Sequence, residues 1–372
     1  MKKISLHGFG LFSDSEHREE YAAGEVVFET GDYSDKAYVV LEGTLRLTQG
    51  EDEIDVLSAG DLFGEMGMVE NRVRNSTVTA VTDSTLVAID RLRFASLVRQ
   101  HPGFATRVMA IISSRLARRT EQEVKRRSFQ RELEIGRKMQ RSLLPQSAPV
   151  VPGWQFAAYY ETAWRVGGDF YDFISLEDDP SKVRLVIADV TGKGVPAALY
   201  MAVARTMIRA ETFKGGSPAA VLGRVNEHII SDTRSPLFLS AIHAILNYDT
   251  GVLRYANAGH NQPLCFRQAS GEVEELPGQG YLLGAFADVS YENQEIDLNE
   301  GDALVMYTDG VTDARDAQRR FFGDERLKHA VAQAGDCSAD EMAGALVTAV
   351  AVFSGPVPQT DDQTILVVKR VS

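Results

Sequence analysis

The sequence predicts an α+β protein in which a β-rich first part, a long connecting helix and a mixed second part follow one another. Three patterns lead to this prediction. Short runs of alternating apolar and polar residues, separated by glycines, fill residues 21–90. A helical pattern follows, and after it strands and helices alternate to the end of the sequence. The length of 372 residues suits two domains and a connector better than a single core.

The alternation in the first part predicts a β-sandwich or a jelly-roll barrel. The runs GEVVFETG, KAYVVLEGTLRLTQG, EIDVLSAGD and STVTAVTDSTLVAID alternate at a period near two. Glycines 24, 31, 43, 50 and 60 separate these runs and supply turns. Many short strands at this spacing are typical of closed or double-sheet β architectures.

A linker helix is expected over residues 91–145. Apolar residues recur at helical spacing, regularly at Val108, Ile112 and Leu116 and less regularly at Leu133, Met139 and Leu143. The heptads are irregular, so a dimeric coiled coil stays an open possibility for this segment. Leu144 and Pro145 end the helix, since proline cannot continue it and restricts the residue before it.

The second part, residues 150–372, reads as antiparallel strands with separate helices. Strands are expected in VRLVIADV, SAIHAILNY, GVLRYANAG, ALVMYTDG and TILVVKR, and Asp249-Thr250-Gly251 predicts a hairpin between the second and third of these. Helices are expected after Ser217-Pro218, an N-cap followed by proline, and after Ser338, which forms a capping box with Glu341. This combination predicts an α+β domain.

Charge and composition exclude several classes of function. The net charge is −13, yet residues 99–141 carry twelve Lys and Arg side chains against four Asp and Glu. We interpret this segment as a solvated helix facing an acidic domain, so no nucleic-acid partner is expected. No apolar run is long enough for a membrane span or a signal peptide. Cys265 and Cys337 lack metal-ligand spacing, and a reducing cytoplasm is the expected location.

The segment DLFGEMGMVENRVRNSTV combines residue types that recognise a sugar phosphate. A glycine that opens a short helix lets backbone N–H groups approach an anion. Glu65 offers an acceptor for a ribose hydroxyl, and Arg74 offers a bidentate fork for phosphate oxygens.

Together with the framework AAGEVVFETGD and AYVVLEGTLRL, this segment resembles the cyclic-nucleotide-binding domain family over residues 12–125. The resemblance implies a sensor domain, 1–125, with Glu65 on the ribose 2′-hydroxyl and Arg74 on the cyclic phosphate. The remaining expected contacts come from Gly64, Met66, Asn75 and Ser76. The implied ligand is a cyclic nucleotide, with cAMP, cGMP or a dinucleotide left open. In the alternative, a vestigial domain, Glu65 and Arg74 form an internal ion pair.

Aspartates recur beside glycines at the ends of the strands expected in the second part. Asp169 lies in VGGDFYD, Asp189 ends VRLVIADV, Asp309 ends ALVMYTD, and Asp361 and Asp362 precede TILVV. A single Asp-Gly pair is usually only a turn. Several carboxylates at strand ends can converge on hard divalent cations such as Mg²⁺ and Mn²⁺, which prefer oxygen ligands.

The motifs VGGDFYD, ADVTGKGVPAAL, NAGHNQPL, YTDGVTDA and TDDQTILVVKR occur in the order found in the SpoIIE/RsbU-like branch of the metal-dependent protein phosphatases (PPM), which the chain resembles over residues 129–372. The resemblance includes the preceding helix LEIGRKMQRSLLPQ. It implies an α-β-β-α sandwich: two antiparallel sheets packed face to face, flanked by helices, with two Mn²⁺ or Mg²⁺ ions at one edge.

The resemblance also implies a role for each aspartate. Asp189 bridges both ions, and Asp169 with the backbone carbonyl of Val190 holds one of them. Asp309 and Asp361 hold the other, with Asp362 as the alternative ligand of this pair. The expected reaction is direct hydrolysis of a phosphate ester, without a phosphoenzyme, by water activated at the metal pair.

Some residues near these motifs depart from the family pattern or have ambiguous roles. Lys193 follows Asp189 where a histidine general acid would stand, so water at the metal site is the expected proton donor instead. Gln262 and Asp313 replace a commoner proline and glutamate away from the metals. We interpret His260 as a structural hydrogen-bonding residue, while Arg165 is either a phosphate ligand or a solvated side chain.

The expected function is a metal-dependent Ser/Thr protein phosphatase regulated by a cyclic nucleotide. The family implies as substrate a phosphorylated STAS-type anti-sigma-factor antagonist. We also expect a homodimer formed through the linker helix. The alternative is a nucleotide-binding scaffold with a silent phosphatase-like domain; a transcription factor is disfavoured because no basic helix-turn-helix follows the linker.

Overall fold

The structure is a computed structural model that describes residues 17–50, 52–66, 72–232 and 237–371. The chain divides into two compact units, one up to Ser128 and one from Phe129 onward. No helix in the described ranges is both long and apolar enough to cross a membrane.

The first unit is a β-sandwich of two four-stranded antiparallel sheets, which confirms the predicted jelly-roll type. Its strands are β1 Arg18–Tyr21, β2 Val26–Phe28, β3 Lys36–Glu42, β4 Thr44–Gln49, β5 Asp52–Ser58, β6 Leu62–Phe63, β7 Thr77–Ala80 and β8 Ser84–Asp90. One sheet has the order β1-β8-β3-β6 and the other β2-β7-β4-β5. Alternate residues of β3 and β8 face the space between the sheets, with Val40 and Leu86 fully buried there.

Two helices follow the sandwich where the sequence predicted one. Helix α1 spans Arg91–Gln100 and helix α2 spans Pro102–Leu143. The single linker helix over 91–145 was therefore wrong at its start. His101 has a non-helical backbone, with φ −126° and ψ 83°, because Pro102 disfavours the α conformation in the residue before it.

The apolar stripe that suggested a coiled coil packs within the chain. Val108 is buried in a cluster with Phe104, Ile111 and residues of β3 and β8, and Ile112 lies against the same cluster. The third residue of the stripe, Leu116, has a side chain outside the described part. Helical periodicity correctly marked a buried face, and this face packs against the strands of the first unit.

The second unit contains two five-stranded antiparallel sheets. Its strands are β9 Trp154–Glu161, β10 Phe170–Leu176, β11 Asp179–Val190, β12 Leu239–Asn247, β13 Val252–Ala258, β14 Leu264–Arg267, β15 Glu272–Glu275, β16 Gln294–Asp297, β17 Ala303–Tyr307 and β18 Gln363–Arg370. The sheet orders are β10-β11-β12-β13-β16 and β15-β14-β17-β18-β9. The predicted hairpin joins β12 to β13, with Ala241 opposite Ala258.

Helices cover the outer face of each sheet, so the unit has the four layers that were expected. These helices are α3 Val195–Phe213, α4 Pro218–Asp232, α5 Asp309–Thr312, α6 Gly323–Gln333 and α7 Ala339–Ser354. One apolar cluster lies between the first sheet and α3 and α4, a second lies between the two sheets, and a third lies under α5, α6 and α7. The predicted capping box at Ser338 and Glu341 is present at the start of α7.

Candidate metal centre and nucleotide site

The predicted aspartates of the second unit come from both sheets. Asp169 directly precedes β10 and Asp189 is the second-last residue of β11, both in the first sheet. Asp309 follows β17 and Asp361 precedes β18, both in the second sheet. Hydrogen bonds from Thr308 and Thr364 to Asp169, and from Gly168 to Asp362, join these segments at one edge of the sandwich.

Asp169 is anchored to the opposite sheet by two threonines. Its side chain is buried, and Oδ2 accepts hydrogen bonds of 2.7 Å from the hydroxyl groups of both Thr308 and Thr364. Burial, with repulsion from Asp189 and Asp362, raises the pKa of Asp169 well above its usual range, although the threonine hydrogen bonds oppose this. The site therefore holds a carboxylate whose negative charge is poorly compensated.

The negative charges of Asp189 and Asp309 are also poorly compensated. Burial raises the pKa of Asp189 to about 7, with repulsion from Asp309, Asp361 and Asp362 adding to the rise and a hydrogen bond with Asp169 opposing it. Burial also raises the pKa of Asp309, again with repulsion from Asp361. Neighbouring like charges raise carboxyl pKa values in this way only at short range.

Lys193 provides a positive charge at this edge. Its Nζ lies 2.7 Å from Oδ2 of Asp361 and donates a hydrogen bond of 2.6 Å to the backbone carbonyl of Thr360. The lysine therefore holds the segment that leads into β18. The sequence identified Lys193 only as a replacement for histidine and did not predict this ion pair.

Asp362 makes contacts different from those of Asp361. It is buried, and its two oxygens accept backbone hydrogen bonds, Oδ1 from Ala163 at 2.9 Å and Oδ2 from Gly168 at 2.7 Å. These bonds use the carboxylate to fix the loop before Asp169. They favour Asp361 over Asp362 as the metal ligand, and the choice between the two stays a prediction.

Glycines allow the backbone to pack closely around these aspartates. A Cβ at Gly168 would lie 2.7 Å from the carbonyl oxygen of Val190, and one at Gly310 would overlap the carbonyl of Asp362. The glycines of VGGD and TDG are thus required by close approach, and not by turn formation alone. This packing brings the Val190 carbonyl, a predicted metal ligand, next to the Asp169 loop.

The donor set fits a hard divalent cation by its chemistry. All predicted ligands are oxygens, and the raised pKa values of Asp169, Asp189 and Asp309 reflect negative charge that such a cation would neutralise. Within the described residues, no three Asp, Glu, His or Cys side chains are arranged so that they could hold a metal ion. In the structure, Thr308 and Thr364 bond one oxygen of Asp169, and Lys193 pairs with one oxygen of Asp361.

The structure shows the contacts of His260 and Arg165, whose roles the sequence did not establish. His260 is buried, its Nδ1 lies 2.6 Å from the Ser240 hydroxyl, and its backbone N–H and C=O both bond the Asn257 side chain. Burial lowers the pKa of His260 to about 4, so these contacts support a structural role. Arg165 pairs with Glu134 of α2 at 3.0 Å, with both side chains about half exposed.

The nucleotide site predicted in the first unit centres on Arg74, which is buried. Its guanidinium donates to the backbone carbonyls of Gly64 at 2.9 Å and Lys36 at 2.6 Å, and it lies 4.1 Å from the centre of the Phe28 ring. Burial lowers the pKa of Arg74. A phosphate would therefore compete with two carbonyl oxygens for this arginine.

The other residues predicted to contact the nucleotide differ in burial. Glu65 and Ser76 are buried, Met66 is half-buried, and Asn75 is exposed. Gly64 has a φ of +75°, and a Cβ there would lie 2.7 Å from Nη1 of Arg74, so this position requires glycine. Gly67 and Met68 of the same motif lie outside the described residues.

Comparisons with known proteins agree with the two-unit architecture. Residues 18–101 match the profile of the cyclic nucleotide-binding domain. The chain is 32% identical over 233 residues to protein IcfG of Synechocystis sp., covering 55% of this chain and 36% of that protein. It is 30% identical over 207 residues to phosphoserine phosphatase RsbU of Bacillus subtilis, covering 56% of this chain and 59% of that protein. The chain thus spans less than two thirds of the length of these relatives.

The SiaA-PP2C domain of Pseudomonas aeruginosa has a similar structure, with a TM-score of 0.59 and 27% identity over 67% of this chain and 99% of that domain. Residues 179–371 match the profile described as Stage II sporulation protein E (SpoIIE), and this match covers more than half of the chain. The match includes Asp189, Asp309 and Asp361. The chain therefore belongs to the SpoIIE family.

Proposed function

We propose that the second unit hydrolyses the phosphate ester of phosphoserine or phosphothreonine in a protein substrate, with two Mn²⁺ or Mg²⁺ ions. The observation that carries the proposal is the shared edge where Asp169 bonds Thr308 and Thr364 of the opposite sheet. Burial raises the pKa values of Asp169, Asp189 and Asp309 there, and neighbouring carboxylates add to each rise. Like-charged carboxylates are costly to bury together unless a cation or a reaction uses them. The name of RsbU, a phosphoserine phosphatase, supports the same reaction.

In this proposal Asp169, Asp189, Asp309, Asp361 and the Val190 carbonyl would hold the two ions, with Asp189 as the ligand that they would share. When bound, such ions supply an activated water and neutralise charge on the phosphoryl group. Neighbouring residues of the chain hold these metal-binding side chains in position.

Each positioning contact acts on one of these ligands. Thr308 and Thr364 hold Asp169 by its Oδ2, Asp362 fixes the preceding loop, and Lys193 holds the segment of Asp361. The lysine ammonium also favours the approach of a phosphate dianion.

Control of this reaction by a cyclic nucleotide, cAMP or cGMP, is the second part of the proposal. The match of residues 18–101 to the cyclic nucleotide-binding domain supports it, as do the buried Glu65 and Arg74. Helix α2 begins in the first unit and ends in the second, so it is the covalent route for a signal.

We further propose a homodimer formed through α2. The stripe at Val108 no longer supports this, because it packs inside the first unit. Support now comes from the C-terminal part of α2, where Ile135 and Met139 are 53% and 67% exposed and Leu143 continues the same spacing.

A phosphorylated STAS-type anti-sigma-factor antagonist is the proposed substrate, on the strength of the motif resemblance alone. A cytoplasmic location is proposed with it, supported by the free thiols of Cys265 and Cys337.

The experiment is Mn²⁺-dependent hydrolysis of a small aryl phosphate by the full chain, with and without cAMP and cGMP. Asp189→Asn should abolish turnover while the chain stays folded, because the bridging charge is removed and repulsion from Asp309 and Asp361 is relieved. Asp249→Asn, in the exposed β12–β13 turn, is the matched control and should behave as wild type. A wild-type chain inert towards the aryl phosphate and a phosphorylated STAS protein would favour the scaffold alternative.

A further inference from the structure

Gln140 in helix α2 makes a two-point contact with the backbone of Gly167. Its side chain is buried, with 6% of its surface exposed. Nε2 donates to the carbonyl oxygen of Gly167 at 2.6 Å, and Oε1 accepts from the N–H of Gly167 at 3.1 Å. The amide thus satisfies both polar groups of one residue, as a neighbouring β-strand would.

Gly167 stands next to the proposed metal ligands. Gly168 donates its N–H to Asp362, and Asp169 follows directly. A Cβ at Gly167 would overlap the Asp362 carboxylate, so the loop is packed between that carboxylate and Gln140. A change in the position of Gln140 therefore acts on Asp169 through two peptide units.

Other contacts join α2 to this region, but they are more exposed. Glu134 pairs with Arg165 of the loop at 3.0 Å, with both side chains at least 40% exposed. Arg137 and Arg141 pair with Glu161, the last residue of β9, at 2.8 and 2.9 Å. These side chains are between 29% and 49% exposed, so solvent screens their attraction. The buried amide of Gln140 is the contact that specifies where the loop lies.

We propose that Gln140 is a positioning residue that couples helix α2 to the divalent-cation affinity of the Asp169 loop. The inference rests on the proposed function and names the contact through which α2 acts on the metal site. Because the two hydrogen bonds have fixed directions, a shift of α2 along its axis moves Gly167 or breaks both bonds.

The test is calorimetric titration of the full chain with Mn²⁺, comparing wild type, Gln140→Met and Lys138→Ala. Methionine keeps the length and the helix but can make neither hydrogen bond, so Mn²⁺ affinity should fall by about tenfold. Lys138, two residues earlier on α2, is exposed, and its alanine variant should bind Mn²⁺ as wild type does. In turnover, the KM for Mn²⁺ should rise while kcat at saturating Mn²⁺ stays close to that of wild type.

Hydrogen exchange provides a readout that is independent of metal. Amides of residues 162–169 should exchange faster in Gln140→Met than in Lys138→Ala. Unchanged Mn²⁺ affinity in a folded Gln140→Met chain would overturn the proposal, even if its melting temperature fell, because the residue would then be merely structural.

If the Gln140→Met chain does not fold, a second variant, Gln140→Glu, tests the same proposal. Gln140→Glu keeps the acceptor for the Gly167 N–H and places a carboxylate oxygen against the Gly167 carbonyl, so it should also weaken Mn²⁺ binding. Wild-type affinity in Gln140→Glu would overturn the proposal. A wild-type chain that binds no Mn²⁺ would instead refute the proposed function.

Discussion

Asp362 and Gly168 are joined by a hydrogen bond of 2.7 Å from the backbone N–H of Gly168 to Oδ2 of Asp362. The other oxygen of Asp362 accepts from Ala163, so the whole carboxylate is used to hold one loop. Its neighbour Asp361 instead has a side chain that is 39% exposed and paired with Lys193. We therefore expect these adjacent aspartates to contribute differently, Asp362 to folding and Asp361 to metal binding.

Asp362→Asn should lower stability, whereas Asp361→Asn should lower metal affinity. An asparagine can accept from one backbone amide but presents its own N–H groups to the other, which leaves a buried donor unpaired. The expected loss is about 1–3 kcal/mol in the free energy of unfolding, measured by urea unfolding with EDTA. Calorimetry with Mn²⁺ should show the larger affinity loss in Asp361→Asn. The reverse order would make Asp362 the ligand.

Arg74→Ala should weaken cyclic-nucleotide binding by at least about tenfold, since charge-assisted hydrogen bonds contribute about 1.5–3 kcal/mol. Calorimetry of the full chain with cAMP and cGMP measures this. Arg46→Ala is the matched control, because Arg46 is an exposed arginine in β4 of the same unit. If the wild-type chain binds neither nucleotide nor a cyclic dinucleotide, the first unit is vestigial.

Two alanines inserted after Gln122 should abolish nucleotide control of phosphatase turnover while both separate activities remain. The insertion rotates one end of α2 against the other by about 200° at 3.6 residues per turn. A seven-residue insertion is the control, because two full turns restore the helix phase to within about 20° and should restore control. Normal regulation in the two-residue variant would show that the signal does not pass through α2.

His243 should make the second unit less stable as pH falls below 6.5. It is fully buried in β12, with Nε2 3.0 Å from the Thr212 hydroxyl. Burial, with Arg184 and Arg224 nearby, lowers its pKa from 6.5 to about 3. Between those values the unfolded chain binds a proton that the folded chain does not, so stability is complete above pH 6.5 and declines towards pH 3.

His243→Leu should show a shallower decline over the same pH range. The Thr212 hydroxyl keeps a partner, since it also donates to the Ile208 carbonyl at 2.7 Å. Tryptophan fluorescence is a suitable probe because both tryptophans, Trp154 and Trp164, lie in the second unit. Identical pH dependence in the two proteins, without metal, would exclude His243 as the source.

Elements with a distinct local signal were predicted from the sequence, whereas strands β9, β10, β14, β15 and β16 and helices α3 and α6 were not. The apolar runs of β11 and β18 and the capping box of α7 were recognised because each carries its own signal. Strands β14, β15 and β16 have four residues each, too few to show alternation. Their pairing depends on contacts with longer strands rather than on local preference.

In the candidate metal site, the aspartates were predicted from the sequence but their hydrogen-bond partners were not. Aspartates beside glycines at strand ends could be identified from residue type and position. The partners that orient them could not, because Thr308 and Gln140 act across long sequence separations, on Asp169 and Gly167 respectively. A hydroxyl residue directly before Asp309 and another two residues after Asp362 were the available signal for the threonines.

The contact between Lys193 and Asp361 bears on which ions this edge accepts. Any cation that binds Asp361 must compete with an ammonium group already held at 2.7 Å. A sodium or potassium ion brings the same single charge, so the exchange gains little in Coulomb energy and costs the dehydration of the ion. A divalent ion brings twice the charge and gains from every neighbouring carboxylate. If Asp361 is a metal ligand, as proposed, we expect Lys193 to disfavour monovalent ions at this carboxylate more than divalent ions.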